Sequence, residues 1–93
     1  MSVEINNLLV SSPEIRHGRP RIAGTGITVH RIAIWYRLGN SPEEIARRYG
    51  HLSVAQVYAA LAYYHANQVE IETDLAADEA EANRLEAEQL QTA

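Results

Sequence analysis

The sequence predicts a mainly α-helical fold: a helix–turn–helix core of three helices behind a short N-terminal β-hairpin, followed by an acidic C-terminal helix. Three observations carry this expectation. Ser41 with Glu44, and Ser53 with Gln56, each have the spacing of a capping box just ahead of an apolar-periodic stretch. Gly24-Thr25-Gly26 separates two short β-capable pieces, Arg21–Ala23 and Ile27–Val29. From Gln68 onward the composition turns to acids, Ala, Gln and isolated Leu, which have high helix propensity but little to pack.

The elements follow in chain order. "VEINNLLVSSPEI" reads as extended chain leading to a turn at Ser-Ser-Pro. The hairpin comes next, with Pro20 just outside its first arm, where a missing N–H does little harm. Thr28 is placed to cap a first helix running through "VHRIAIWYRL" to Gly39, with Ile32, Trp35 or Tyr36, and Leu38 as its apolar face. The second helix, "PEEIARRY", has Ser41 as cap and Pro42 at the first helical position, and stops at Gly50. The third starts at Ser53 and carries Val54, Val57, Tyr58, Leu61 and His65 at helical spacing. Its exposed positions are then Ala55, Gln56, Ala59, Ala60 and Tyr63. Ile45, Ala46, Tyr49, Leu52, Val57 and Leu61 are placed to share a small core. The chain divides into a body, residues 1–68, and a helical tail, 69–93. The tail has a thin stripe of Leu75, Ala82 and Leu85, and is expected to stand in solvent or against a partner rather than in the main core.

Composition excludes several function classes. Cysteine is absent, which removes disulfides, thiolate metal sites and a cysteine nucleophile, and sets a reduced, cytoplasmic location as the expectation. Lysine is absent too, so there is neither a Walker lysine nor Schiff-base chemistry. Gly24-Thr25-Gly26-Ile27-Thr28-Val29 starts like a dinucleotide-binding loop but has Val29 where the third glycine belongs, so it reads as a turn. The four histidines, 17, 30, 51 and 65, include no pair at i, i+4, so no metal is expected. Carboxylates gather in the tail, and Glu43 and Glu44 suit a helix start, so neither catalysis nor a cofactor is expected. No run is long enough to span a bilayer, and the N-terminus lacks the pattern of a signal peptide.

The net charge of −4 conceals an asymmetry. Residues 1–66 carry seven Arg against four Glu, a balance of +3, and residues 67–93 carry Arg84 against eight acids, a balance of −7. A basic body with an acidic tail points to binding rather than catalysis. For the body, a helix–turn–helix would set its second helix in a DNA major groove, with Gln56 able to read adenine. That face offers no Arg or Lys, so the charge must come from Arg47 and Arg48 at the end of the preceding helix and from Arg16, Arg19, Arg21 and Arg31 around the hairpin. The alternative is that its alanine-rich face packs on another protein chain. For the tail, a segment of this charge with spaced Leu and Ala suits wrapping a basic partner.

Residues 13–70 carry the marks Gly18-x-Pro20, Ile22-x-Gly24-Thr25, Val29, Ser41-Pro42-Glu43-Glu44-Ile45 and Tyr49-x-His51-Leu52-Ser53, leading to Val57, Ala60 and Leu61. In these the chain resembles the domain of unknown function 433 family. The resemblance implies a homeodomain-like three-helix fold behind a short β element. It also implies the antitoxin half of a toxin–antitoxin pair, whose partner is a PIN-like, ribonuclease-type toxin. The C-terminal segment would then neutralise the toxin while the core dimerises or binds operator DNA and represses its own promoter. Leu75, Ala82, Arg84 and Leu85 become the candidate toxin contacts, with Arg84 as the tail's one cation able to reach an acidic nuclease pocket. Other readings are a stand-alone DNA-binding regulator and a homodimeric interaction module without DNA. The family more usually has Arg where this chain has Gly26, and the tail lies outside the resemblance.

Overall fold

Leu9–Val10 (β1) runs antiparallel to Arg21–Ile22 (β2), with Leu9 opposite Ile22 and Val10 opposite Arg21, in a computed structural model that describes residues 4–92. A short N-terminal hairpin is therefore present, but its arms differ from those expected. The stretch 27–29 contributes only one bridge, Arg21 opposite Thr28, and the Ile27 carbonyl accepts from the Ile22 N–H at 2.9 Å. The reason is competition for the same residues. Thr28 caps the first helix and Val29 begins it, with the Val29 N–H donating to the Pro20 carbonyl. The other edge of this strand pairs with Leu9–Val10, from the segment expected to be extended chain leading to a turn, and the Ala23 N–H donates to the Leu8 carbonyl at 2.9 Å.

Four helices follow: α1 (Val29–Arg37), α2 (Pro42–Tyr49), α3 (Val54–Ala66) and α4 (Gln68–Thr92). Their starts lie where local chemistry placed them. Thr28 Oγ1 accepts the Arg31 N–H at 3.1 Å. Both capping boxes close: the Ser41 hydroxyl accepts from the Glu44 N–H while Glu44 accepts from the Ser41 N–H, and Ser53 and Gln56 exchange the same pair of bonds. Hydrogen bonds from Ser41 hold the Glu44 carboxyl below its ordinary value. Gly50 ends α2 at φ +71°, a conformation that costs a side-chain-bearing residue about 1 kcal/mol or more.

The core forms where α1, α2 and α3 meet each other and the hairpin: Ile22, Val29, Ile32, Ala33, Ile45, Val57, Ala60, Leu61 and Tyr64 are buried. Two helix faces differ from expectation. On α1 the buried stripe is Val29, Ile32 and Ala33, while Leu38 and Tyr36 are exposed and Trp35 is half-buried. On α3 it is Val57, Ala60, Leu61 and Tyr64, so Ala59 and Ala60 face inward and Val54, Tyr58 and His65 outward. An α3 composed of Ala, Val, Leu and Tyr is apolar all round, so periodicity alone cannot fix its phase. Packing does, by turning Ala60 and Leu61 toward the core.

The larger difference concerns α4. Its first two turns belong to the core through Ile71, 1% exposed, and Leu75, 8% exposed. The expectation that the tail stands apart from the core holds only beyond these turns.

Candidate functional site

Two surfaces of opposite charge flank the start of α4. On one side a basic cleft opens between the Gly24–Gly26 loop, the segment 16–19 and the end of α2. On the other, the acidic remainder of α4 leads away.

The cleft is open, about 620 Å³ in volume, and lined by Arg16, His17, Arg19, Arg31 and His51 beside the loop and Tyr49. None of its lining residues is acidic. Arg16 and His17 both take left-handed backbone angles, φ +51° and +57°, ahead of Gly18 at +76°. Such angles in residues with side chains cost about 1 kcal/mol or more each, and the surrounding contacts must hold them. Here they turn the chain so that the Arg16 guanidinium lies across Gly26. A Cβ at residue 26 would sit 3.2 Å from Arg16 Nη2.

Three polar contacts, absent from any local motif, fasten α4 to the body. Arg19 donates to both oxygens of Asp78, at 2.8 and 3.1 Å. Those bonds hold the Asp78 carboxyl below its ordinary value and raise the Arg19 guanidinium. His30 Nε2 lies 2.9 Å from Asp74 Oδ2. The His30 ring is buried and its Nδ1 has no partner among the described residues, so the tautomer with hydrogen on Nε2 leaves only an unused acceptor inside. The Tyr64 hydroxyl donates to Glu72 at 2.7 Å. Burial and this carboxylate push Tyr64 above its ordinary value.

The candidate DNA contacts separate into distinct places. Arg16, Arg19 and Arg31 meet at the cleft. Arg47 and Arg48 line a different, shallow depression with Asn40 and Glu44. Arg48 donates to Asn40 at 3.2 Å and stacks 4.4 Å over Trp35, whose indole N–H donates to the Tyr49 hydroxyl. Arg21 points to the Ser12 hydroxyl at 3.4 Å. Gln56 is committed to the α3 capping box, its Oε1 2.7 Å from the Ser53 nitrogen.

The candidate partner contacts also divide. Leu75 is buried under the body, whereas Ala82, Arg84 and Leu85 are exposed on the distal part of α4. Arg84 is bridged by Glu81 and Glu88 of its own helix, which raise it above its ordinary value. Among the described residues no three His, Asp or Glu side chains converge as metal ligands do, and no helix is long and apolar enough to cross a membrane.

With this geometry in view, comparison with known proteins gives one consistent result. Residues 9–64 match the family model described as "Protein of unknown function (DUF433)". The chain belongs to the DUF433 family. Its fold is similar to the crystal structure of a DUF433 member from Anabaena variabilis, with a TM-score of 0.70 and 26% sequence identity over 77% of this chain and 71% of that one. No curated protein matches. The family match ends at residue 64, within the last turn of α3, so the cleft and nearly all of the three-helix body lie inside it and α4 lies outside.

Proposed function

We propose that this DUF433 protein is an antitoxin-like binding protein, whose projecting acidic helix engages and neutralises a PIN-like, ribonuclease-type toxin. The observation that carries the reading is the state of α4 beyond Leu75. Every residue from 76 to 91 is exposed, although the helix continues for four further turns. An isolated helix is marginal in water, and one that leaves Leu85 and Leu90 uncovered gains little from its length without a partner. Besides Asp78, which is held by Arg19, four acids against Arg84 in this stretch favour a partner with a basic surface. The pairing with a PIN-like toxin rests on the family resemblance.

Expressed in its native host, the full chain should retain such a toxin. A chain ending at residue 80 keeps Ile71, Leu75 and Asp78 and should lose retention at least a hundredfold. Undiminished retention by the shortened chain would end this reading.

The homeodomain-like arrangement of α1–α3, with α2 and α3 as its helix–turn–helix, belongs to the same proposal as a scaffold and dimerisation element. A second reading, repression of its own promoter, is favoured by Arg47, exposed near the end of α2 and without an ion pair among the described residues. Upstream DNA should then be bound in a salt-sensitive way that Arg47→Ala weakens. With Gln56 tied to its cap, such binding would lean on phosphate contacts more than on base reading.

A further inference from the structure

We propose that the basic cleft between the Gly24–Gly26 loop and the end of α2 binds a nucleoside phosphate, taking the phosphate on Arg16 and Arg31 and the base against Tyr49 and His51. This goes beyond the toxin-binding reading and uses a different surface of the molecule.

Charge is the first ground. The protein is acidic overall, at −4, yet this cleft is lined by three Arg and two His with no carboxylate among its lining residues. Arg19 is already neutralised by Asp78. Arg16 and Arg31 are not: among the described residues neither makes an ion pair, and both are exposed and line the cleft, Arg31 also lining a second depression with Glu72, Asp78 and Glu79. Two free guanidinium groups on one concavity are the usual arrangement for a phosphate, which they can grip through paired N–H donors.

Size is the second. A volume of about 620 Å³ lies within the roughly 300–1,000 Å³ typical of small-molecule pockets. The same lining includes two aromatic rings, Tyr49 and His51. Tyr49 and His51 stand edge to face with centroids 6.4 Å apart, and the His51 ring is fixed by a 2.7 Å contact from Nδ1 to the Tyr49 carbonyl. A base can stack there while its phosphate reaches the arginines.

Preorganisation is the third. The left-handed turn at Arg16 and His17 and the missing side chain at Gly26 together let the Arg16 guanidinium lie against the loop. Gly26 is thus a positioning residue for Arg16. The start of α1 adds little donor capacity, since the Val29 and Arg31 N–H groups already bond to Pro20 and Thr28. The side chains supply the binding.

The test is calorimetric titration of the full chain at low ionic strength with adenosine 5′-monophosphate, adenosine, inorganic phosphate and a short single-stranded oligonucleotide. Trp35, the chain's one tryptophan, reports on Tyr49 through its hydrogen bond and gives a fluorescence readout. The monophosphate or the oligonucleotide should bind, with adenosine at least tenfold weaker. Arg16→Ala and Arg31→Ala should each weaken binding about tenfold, since a charge-assisted bond is lost. Gly26→Ala should weaken it a few-fold with an unchanged helical spectrum, because the clash falls on the mobile end of Arg16. Arg37→Ala, at the far end of α1, should have no effect. Tighter binding of the oligonucleotide than of the monophosphate identifies a nucleic-acid strand as the source, and the reverse identifies a free nucleotide. Absence of binding to every phosphate probe at millimolar concentration would overturn the proposal. So would equal binding of adenosine, or an equal loss in Arg37→Ala.

Discussion

The two halves of α4 are both acidic and helical, and they behave differently. In the half nearest the body, Ile71, Asp74, Leu75 and Asp78 fall at i, i+3, i+4 and i+7, the spacing of a single helix face. That face lies on the body: the two apolar residues enter the core, and the two acids meet His30 and Arg19. In the distal half acids are fewer, Glu81 and Glu88 find only Arg84 of their own helix, and Leu85 and Leu90 have no core to enter. What an acidic residue does on a helix depends on what stands opposite it. The proximal acids join a composite face that holds the helix down, and the distal ones are a solvated surface offered outward.

Substitutions across the boundary sharpen this contrast. Ile71→Ala removes a fully buried side chain and should destabilise the protein by about 3 kcal/mol, read as a lower denaturant midpoint. A loss below about 1 kcal/mol would mean that the first turns of α4 are not part of the core. Asp78→Asn tests the polar half of the same face. The Arg19 hydrogen bonds lower the Asp78 carboxyl in the folded state, so its contribution is complete above the ordinary carboxylate range and is lost as pH falls through the lowered value. Asp78 is half exposed, and solvent screening holds the effect below about 1 kcal/mol. The variant should be slightly less stable than the parent at pH 7, and the difference should close below about pH 4. Leu85→Ala, on the distal half, should change stability by no more than about 0.5 kcal/mol. A larger loss would place the distal helix against something within the monomer.

Much of the body was legible because its punctuation is local. Thr28, Ser41 and Ser53 each cap through atoms three residues away, and Gly50 terminates α2 through its own backbone angle, so short stretches of sequence suffice. The strand partner of Ile22 was not legible. Leu9 lies thirteen residues away, behind a Ser-Ser-Pro turn, and the glycine loop supplied a nearer candidate arm. The phase of α3 was hidden by its uniform apolarity. A stripe drawn through Leu75, Ala82 and Leu85 runs toward the distal half and omits Ile71, so it does not show the proximal face of α4. Ile71 and Leu75 at i, i+4 were a visible signal, but the partners of Asp74 and Asp78 are 44 and 59 residues distant and leave no local trace. The cleft follows the same rule. Its arginines are visible in the sequence, but the left-handed turn that brings Arg16 over Gly26 is taken by Arg16, which has no preference for it, and by His17, whose modest preference does not dictate it.

The projecting helix also determines how the molecule moves through solvent. The protein measures 57 by 29 by 24 Å, with a radius of gyration of 15.1 Å, against about 12 Å for a compact chain of its length. A rod-like extension raises drag without adding mass, so a monomer of 10.4 kDa should elute from a sieving column ahead of globular standards of equal weight, in the direction of a dimer. Light scattering, which weighs the particle rather than timing it, separates the two. Binding that sheathes the distal helix should then add mass with less than the usual increase in hydrodynamic radius.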